Sequence, residues 1–365
     1  MVVIMIGKSM SEINLFTPLK IRGVEFANRL WVSPMCMYSA NDGVVTDWHR
    51  VHLGAFATGG AGLVVVEATG VTPKGRISVG CTGIWNDEQA EAFRPITEFS
   101  KSMGSKIGIQ LAHSGRKGST TRPGSDHQMA TTEEGGWVAE APSAIAYGKM
   151  PIPHALTVSE IHQLVQDFAA ATKRAVKVGF DVIELHAAHG YLLHEFLSPL
   201  SNSRTDEYGG SFENRTRFLL ETAKAVRSAM PNSMPLFVRI SATDWVEGGW
   251  DLEQSTQLAT LLKNAGVDLI DVSSAGLSDK QDVKAEPGFQ VPFATAIREA
   301  TGILTSGVGL ITTAEQSDAV IREGKADAVF AGRAFLRNPR WALEVAHQLN
   351  ATAKWPHQIE RGKLS

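Results

Sequence analysis

The stretch Val158–Tyr191, VSEIHQLVQDFAAATKRAVKVGFDVIELHAAHGY, contains one full copy of the pattern that decides the fold. Apolar residues recur at helical spacing over Val158–Val178, and Gly179 is a typical helix-ending residue. An apolar run from Val182 to Ala188 follows and then stops abruptly in a histidine, a glycine and Tyr191. The stretch therefore predicts a helix and then a buried strand whose C-terminal end carries chemistry.

Short runs rich in β-branched residues recur along the whole chain. The eight candidate strands are Arg29 to Met37, Leu63 to Val71, Ile107 to His113, Val182 to Ala188, Leu236 to Ser241, Leu269 to Ser274, Ile303 to Val308 and Ala328 to Gly332. The segments of helical period between them include Glu88 to Met103, Val158 to Val178, Arg217 to Met230, Leu252 to Asn264 and Ala314 to Glu323. Alternation of strands and helices implies parallel pairing, so the pattern favours a single (β/α)8 TIM barrel over two open sheets. Functional residues then belong at the C-terminal strand ends.

Three connections are longer than the rest. They follow the third, fourth and sixth strands and comprise Ser114 to Leu156, Leu197 to Arg215 and Ala275 to Pro292. Loops of this length in a compact domain usually cover a site or form an interface, and the first could form a lid. We expect residues 1–10 to be a disordered leader and residues 11–365 to form one barrel domain.

Composition narrows the class of partner. The 365 residues include 35 basic and 38 acidic side chains without long like-charge blocks, which argues against nucleic acid or an anionic membrane. No stretch approaches the roughly 18 uninterrupted apolar residues of a membrane span. Cys36 and Cys81 are too few for a disulfide framework. We therefore expect a cytoplasmic protein with a small-molecule partner.

The last two strand ends match the place where barrels commonly bind phosphate. Gly307 and Gly309 follow the seventh strand, and Gly332 and Arg333 follow the eighth. Glycines let backbone N–H groups approach phosphate oxygens, and an arginine adds a guanidinium group that can form two charged hydrogen bonds to phosphate. The alternative is two ordinary turns with Arg333 in a surface ion pair. A phosphorylated cofactor would lie across the barrel mouth.

Other strand ends offer groups that suit such a cofactor. Gln110 and Arg239 could face its polar ring edge, where a cation would stabilise negative charge gained on reduction; each could equally be an inter-strand hydrogen bonder. At the first strand end, Cys36 could line a pocket with Pro34 and Tyr38 or simply be a buried thiol.

The histidines of the fourth strand end, His186 and His189, admit three interpretations. As metal ligands they would need partners, but the first strand has no close histidine pair and the later strand ends add no obvious carboxylate, so we expect no metal. A Schiff-base aldolase would want a lysine at a strand end, and none of the eight runs ends in one. There remain oxygen binding and proton transfer with Tyr191, or two structural core histidines.

Taken together, the motifs resemble the Old Yellow Enzyme family of flavin-dependent ene-reductases, in particular a bacterial subgroup of NADPH dehydrogenases. The resemblance runs from about Leu15 to Gly362. Its motifs are Ser33-Pro-Met-Cys-Met-Tyr38, Glu67-Ala-Thr69, Gln110-Leu-Ala-His113, His186-Ala-Ala-His-Gly-Tyr191 and Ser203-Arg-Thr-Asp-Glu-Tyr-Gly-Gly-Ser-Phe-Glu-Asn-Arg215. Each string is weak alone, but their order across a barrel is specific.

The resemblance implies tightly bound, non-covalent FMN reduced by NADPH in preference to NADH. Its isoalloxazine ring would contact Ser33, Pro34, Met35 and Cys36. The polar ring edge would contact Ala68, Gln110 and Arg239, and the phosphate Gly307, Gly309, Gly332 and Arg333. An α,β-unsaturated ketone or aldehyde would then accept hydride. Its carbonyl oxygen would bind His186 and His189 with Tyr38 as a second contact, and Tyr191 would donate the proton.

The C-terminal segment also resembles the family. Gln358-Ile-Glu-Arg-Gly362 is similar to a tail that sends an arginine into a neighbouring subunit's active site, although Lys363 stands where an aromatic residue usually follows. The resemblance thus implies a homodimer or homotetramer in which Arg361 contacts the partner's substrate. Two alternatives remain open: a non-catalytic flavin-binding protein, and a flavin barrel reductase with a different dedicated substrate.

Overall fold

The computed structural model describes residues 13–126 and 128–363, so the predicted leader, residues 1–10, lies outside the described residues. Its strands are β1 Leu19–Ile21, β2 Val24–Phe26, β3 Leu30–Val32, β4 Leu63–Gly70, β5 Lys106–Ala112, β6 Glu140–Ala141, β7 His154–Ala155, β8 Val182–Ala187, β9 Leu236–Ser241, β10 Leu269–Ser273, β11 Leu304–Gly307 and β12 Ala328–Ala331. Eight of them, in the order β3-β4-β5-β8-β9-β10-β11-β12, pair in parallel and close into a barrel. The predicted (β/α)8 barrel is confirmed; seven barrel strands lie inside their predicted runs, and β5 begins one residue before its run, at Lys106.

Helices follow the barrel strands and cover their outer surface. They are α1 Asp47–Thr58, α2 Asp87–Ser102, α3 Val158–Lys177, α4 Leu192–Leu197, α5 Phe212–Ala229, α6 Leu252–Asn264, α7 Val291–Thr301, α8 Ala314–Arg322, α9 Arg333–Arg337 and α10 Trp341–Gln348. The predicted start of α5, Arg217, is wrong. The helix begins at Phe212 because the Ser211 hydroxyl caps it by accepting the Asn214 N–H, 3.3 Å away. None of the helices among the described residues is both long and apolar enough to cross a membrane.

A cluster of aromatic side chains closes the N-terminal end of the barrel. Phe26 of the β1–β2 hairpin lies against Trp31, with 4.8 Å between ring centroids, and Trp31 stacks on Phe237 at 5.8 Å. All three are essentially inaccessible to solvent and belong to one apolar cluster formed mainly by the first residues of the strands. This end of the barrel is thus a packed core, and polar groups are concentrated at the opposite end.

The connection after β5 is an ordered cover rather than an open loop. It contains the 3-10 helix Gly115–Lys117 and the short parallel ladder between β6 and β7. Glu140 of β6 lies 2.7 Å from the Lys74 ammonium and 3.2 Å from Nε2 of the buried His113 at the end of β5. These contacts attach the predicted lid segment, Ser114 to Leu156, to the C-terminal end of the barrel.

Candidate active site

The end of β8 brings together three rings that the sequence separates. After buried His186 the backbone leaves strand geometry, because His189 and Gly190 have φ values of +60° and +72°. The His186 ring centroid consequently lies 5.1 Å from that of His189 and 4.9 Å from that of Tyr191. A Cβ on Gly190 would come within 2.2 Å of the Gly276 carbonyl oxygen, so this bend requires glycine. The predicted convergence of these rings is present.

The environment of the two histidines favours their neutral form. Burial, reinforced by the positive charge of Arg239, lowers the pKa of both His186 and His189 well below the usual value. Two contacts anchor His189. Its ring Nε2 lies 2.7 Å from the Ser273 hydroxyl, and its backbone N–H donates to the Ser241 hydroxyl at 2.9 Å. In contrast, Nδ1 of His186 is buried and lacks a hydrogen-bond partner within the described residues. One ring is therefore fixed by the protein and the other offers a free polar atom.

Lys117 lies at the same site, although it is not among the site residues predicted from the sequence. Its ammonium donates to the carbonyl oxygens of His189 and Gly276, each at 2.8 Å, and lies 5.2 Å from the Tyr191 ring centroid. Burial lowers the pKa of Lys117 to about 8 and raises the pKa of Tyr191 well above its usual value. The phenol is thus protonated at neutral pH. The pair Arg116-Lys117 marks a basic segment in the loop after β5, but the sequence does not show what that segment contacts.

The strand register aligns further polar groups across the barrel. Gln110 on β5 pairs with Ala68 on one side and with Glu184 on the other, and its amide donates to the Glu184 carboxyl at 2.8 Å. Burial, and then the nearby carboxyl of Asp271, raises the pKa of Glu184 to about 8. Glu184 lies inside the apolar run of β8 rather than at its end, which is why the sequence analysis missed it.

Arg239 lies on β9, the strand next to β8 in the barrel. It pairs in register with His186 and Asp271, and its Nε lies 3.1 Å from the Asp271 carboxylate. Asp271 also accepts a 2.8 Å hydrogen bond from the Ser306 hydroxyl. Asp271 is buried in the middle of β10 and not at its end, so it falls outside the expectation, which concerned carboxylates at the later strand ends. Gln110 forms an inter-strand hydrogen bond, as the alternative interpretation held, whereas Arg239 forms an inter-strand ion pair, and both lie beside the histidine site.

The β11 and β12 ends contain the predicted glycine-rich turns. Gly309 has a φ of +116°, and a Cβ there would approach the Phe289 and Gln290 side chains at 3.0 Å. A Cβ on Gly332 would come within 3.2 Å of the Met35 sulfur, so the first and last barrel strands are close here. Arg333 begins α9 and is exposed, without an ion pair to any residue in 13–126 or 128–363. The alternative, in which Arg333 forms a surface ion pair, therefore has no support among the described residues, and the exposed Arg333 cation lies beside the glycines.

The end of β3 forms another side of the mouth. The Ser33 N–H donates to the Ala331 carbonyl at 3.0 Å, while its buried hydroxyl lacks a partner in the described part of the chain. Pro34 follows in the same loop, and the Cys36 thiol contacts Cys81, an interaction that together with burial raises the pKa of Cys36. A cavity of about 440 Å³ opens beside this loop. Its lining includes Tyr38, Ile77, Lys117, Tyr147, Met150 and Tyr191.

These features fit a phosphate-bearing flavin. The unpaired polar atoms of Ser33 and His186 are buried at the barrel mouth, where a bound polar ring would satisfy them. A Cβ at Gly309 or Gly332 would crowd neighbouring side chains at 3.0 and 3.2 Å, and exposed Arg333 supplies positive charge. Arg361, by contrast, is exposed on the terminal 3-10 helix His357–Gly362 and does not line the cavity of its own chain.

Comparison with known proteins agrees with this geometry. The sequence profile of the NADH:flavin oxidoreductase / NADH oxidase family matches residues 14–352. An NADH:flavin oxidoreductase of Gibberella zeae is 48% identical over 365 residues, covering 95% of this chain and 88% of the relative. An NADPH dehydrogenase of Geobacillus thermodenitrificans is 47% identical, covering 95% of this chain and 98% of the relative.

Solved structures give the same result. Morphinone reductase superimposes with a TM-score of 0.79 at 28% identity, covering 96% of this chain and 93% of its own. The predictions of a barrel reductase of the Old Yellow Enzyme type, of an enzyme and of FMN with a nicotinamide reductant are confirmed. The chain therefore belongs to the NADH:flavin oxidoreductase / NADH oxidase family and is an FMN-dependent oxidoreductase.

Proposed function

We propose that this enzyme uses NADPH, in preference to NADH, to reduce the activated C=C bond of α,β-unsaturated ketones and aldehydes. The observation that carries the proposal is the convergence of His186, His189 and Tyr191 at the mouth of the barrel. The NADPH preference is supported by the names of the bacterial relatives. Quinones, nitro compounds and other xenobiotics that accept electrons are further proposed substrates.

The same strand ends are proposed to hold FMN. The contacts to the ring are Ser33, Pro34, Met35 and Cys36, with Ala68, Gln110 and Arg239 at its polar edge. Gly307, Gly309, Gly332 and Arg333 hold the phosphate. When bound, FMN supplies the hydride chemistry. The buried pairs of Gln110 with Glu184 and of Arg239 with Asp271 fix the two polar groups in place.

The histidines act on the carbonyl oxygen of the substrate. The proposed donor of His189 is its Nδ1–H, which requires the Ser273 hydroxyl to donate to Nε2, 2.7 Å away, rather than to the Gln290 side-chain oxygen, 3.3 Å away. Such hydrogen bonds strengthen as negative charge develops on the oxygen, so they stabilise the transition state more than the substrate. Tyr38 provides a second contact to this oxygen.

Tyr191 is the proposed proton donor to the carbon next to the carbonyl. It is a cavity-lining phenol whose raised pKa keeps the proton available at neutral pH. Lys117, 5.2 Å from its ring centroid, holds the loop carbonyls of His189 and Gly276 and so positions the Tyr191 turn.

Replacing both histidines tests the proposal. In His186→Ala/His189→Ala we expect FMN to be retained, while affinity for a phenolic ligand and kcat/KM for cyclohexenone fall by at least about 10³-fold, because two oxyanion donors are lost. The matched control removes two exposed histidines, His162 and His347, and should leave both quantities unchanged. Unchanged enone kinetics in the first variant would contradict the role.

We also propose that the chain forms a homodimer or homotetramer in which Arg361 contacts the active site of a neighbouring subunit. The exposure of Arg361 outside the cavity of its own chain supports this arrangement. Truncation before Glu360 should weaken binding of a phenolic ligand without loss of FMN. Native mass, ligand affinity and kinetics that all stay unchanged would argue against it. A cytoplasmic location is proposed from the two free cysteines.

A further inference from the structure

Two thiols and a carboxylate meet beside the first strand end. Sγ of Cys36, Sγ of Cys81 and a carboxylate oxygen of Glu67 all lie within 4.8 Å of one another. They come from the loop after β3, from the connection between β4 and α2, and from β4 itself. Cys81 and Glu67 are buried, and Cys36 is partly exposed. The histidine site uses neither Cys81 nor Glu67.

Neighbouring groups fix two of these ligands. One carboxylate oxygen of Glu67 lies 3.3 Å from Nε2 of buried His49, and the other accepts the Met37 N–H at 3.2 Å. The sulfur of Cys81 accepts the Ser78 N–H at 3.3 Å. Such outer contacts orient the ligands of protein metal sites and tune their affinity. The cluster therefore has both the ligand atoms and the supporting contacts of a binding site.

We propose that Cys36, Cys81 and Glu67 form a binding site for a thiophilic divalent metal ion such as Zn²⁺. Zinc bonds of about 2.3 Å to sulfur and about 2.0 Å to oxygen place tetrahedral ligands about 3.3–3.8 Å apart. The three ligand atoms, which lie within 4.8 Å of one another, would therefore have to move by about 1 Å or less to reach this spacing around a bound ion. Thiolates favour zinc and cadmium, whereas magnesium and calcium prefer oxygen ligands.

The chemistry of binding is a proton exchange. One metal ion forms bonds to both sulfurs and to the carboxylate, and the two thiol protons pass to solvent or buffer. Partly exposed Cys36 packs against the same apolar cluster as Tyr38 and Tyr191, which line the open cavity, so the fourth position of the ion can face this cavity. A water molecule can occupy this position, as in zinc sites with three protein ligands.

This site differs from the one that the sequence analysis weighed. The expectation of no metal concerned His186 and His189 and the absence of partners for them, whereas the ligands here are sulfur and carboxylate groups. The proposal is independent of the substrate proposed above. Because Cys36 is also a proposed ring contact, Zn²⁺ should perturb the flavin absorbance and inhibit turnover, and a chelator should reverse both effects.

Calorimetric titration of reduced, metal-free holoenzyme with Zn²⁺ tests the site. Performed in two buffers of different ionisation enthalpy, it should give one ion per chain with release of two protons, and Mg²⁺ should give no signal. Titration with Cd²⁺ should produce the ultraviolet sulfur-to-metal charge-transfer band. Absence of this band, or of Zn²⁺ binding at micromolar concentrations, would overturn the proposal without any variant.

A variant then identifies the ligands. Cys81→Ser conserves shape and should weaken Zn²⁺ binding by at least about 100-fold, more than the loss of an outer contact would cause. Ser78→Ala leaves both thiols, Glu67 and the Ser78 N–H in place and serves as the control. Equal affinity in Cys81→Ser and wild type would overturn the proposal. So would a thiol count showing that Cys36 and Cys81 form a disulfide in air while the reduced protein binds no Zn²⁺.

Discussion

Burial sets the charge of the two histidines at the proposed substrate site. It keeps His186 and His189 neutral, with Arg239 adding to the effect. The unfolded chain takes up protons at these positions as the pH falls through about 6.5, whereas the folded chain does not. The free energy of unfolding should therefore decrease below that pH, and this contribution is fully present above it. The proposed oxygen-binding pair is thus uncharged in the neutral range.

Removing the Tyr191 hydroxyl should slow the reduction of the enone but not the reduction of the flavin by NADPH. In Tyr191→Phe we expect enone reduction to slow by about 10²–10⁴-fold, the usual worth of a positioned general acid, with flavin reduction by NADPH little changed. Because burial raises the Tyr191 pKa, wild-type enone reduction should not decline through this residue up to pH about 9. Anaerobic stopped-flow measurement of each half-reaction gives both results. Equal slowing of the two halves would indicate a general structural effect instead.

The turn between β8 and α4 is the element that assembles the site. Gly190 has a φ of +72° and lies against the Gly276 backbone, and the same Gly276 carbonyl accepts from Lys117. Two loops are therefore joined at this point, one after β8 and one after β10. A change here should move His189 and Tyr191 together.

Gly190→Ala tests that coupling. The left-handed φ alone costs alanine about 1–2 kcal/mol, and the clash with the Gly276 oxygen adds to this cost. We expect lower stability in chemical denaturation and loss of affinity for a phenolic ligand. Gly210→Ala is the control, because Gly210 has a φ of +79° with nothing within 4 Å of its added Cβ. Retained ligand affinity in Gly190→Ala would contradict the role of the turn.

The elements differ in how far local sequence specifies them. β9 and α6 have the predicted bounds, Leu236–Ser241 and Leu252–Asn264, because strand and helix periodicity are local properties. The bend at His189 was predictable from Gly190. The roles of Lys117 and Asp271 were not, since they depend on which strands and loops become neighbours in the closed barrel. Cys36 and Cys81 likewise become neighbours only when the loop after β4 folds against that after β3.

In the whole molecule, stability and chemistry lie at opposite ends of the barrel. Phe237 is buried in the aromatic cluster at the N-terminal end, whereas Arg239, two residues further along β9, lies beside His186. The same strand thus contributes to the packed core and then to the site.

Phe237→Ala should therefore destabilise the fold without altering the chemistry. Removing a fully buried phenylalanine costs about 3–5 kcal/mol of unfolding free energy, measurable by urea denaturation. The FMN content and kcat/KM of the folded fraction should stay close to wild type. Phe99→Ala, at a position 39% exposed, is the control and should cost much less. Loss of enone activity in folded Phe237→Ala would show that the two ends are coupled.

In the proposed function, one flavin site accepts electrons from NADPH and passes them to an enone. An anaerobic titration of the purified yellow protein tests it most directly. NADPH should bleach the flavin absorbance, and stoichiometric cyclohexenone should then restore it with formation of cyclohexanone. A protein that bleaches with NADPH but stays bleached in excess cyclohexenone would contradict enone reduction, and one that does not bleach at all would contradict its function as an NADPH-dependent reductase.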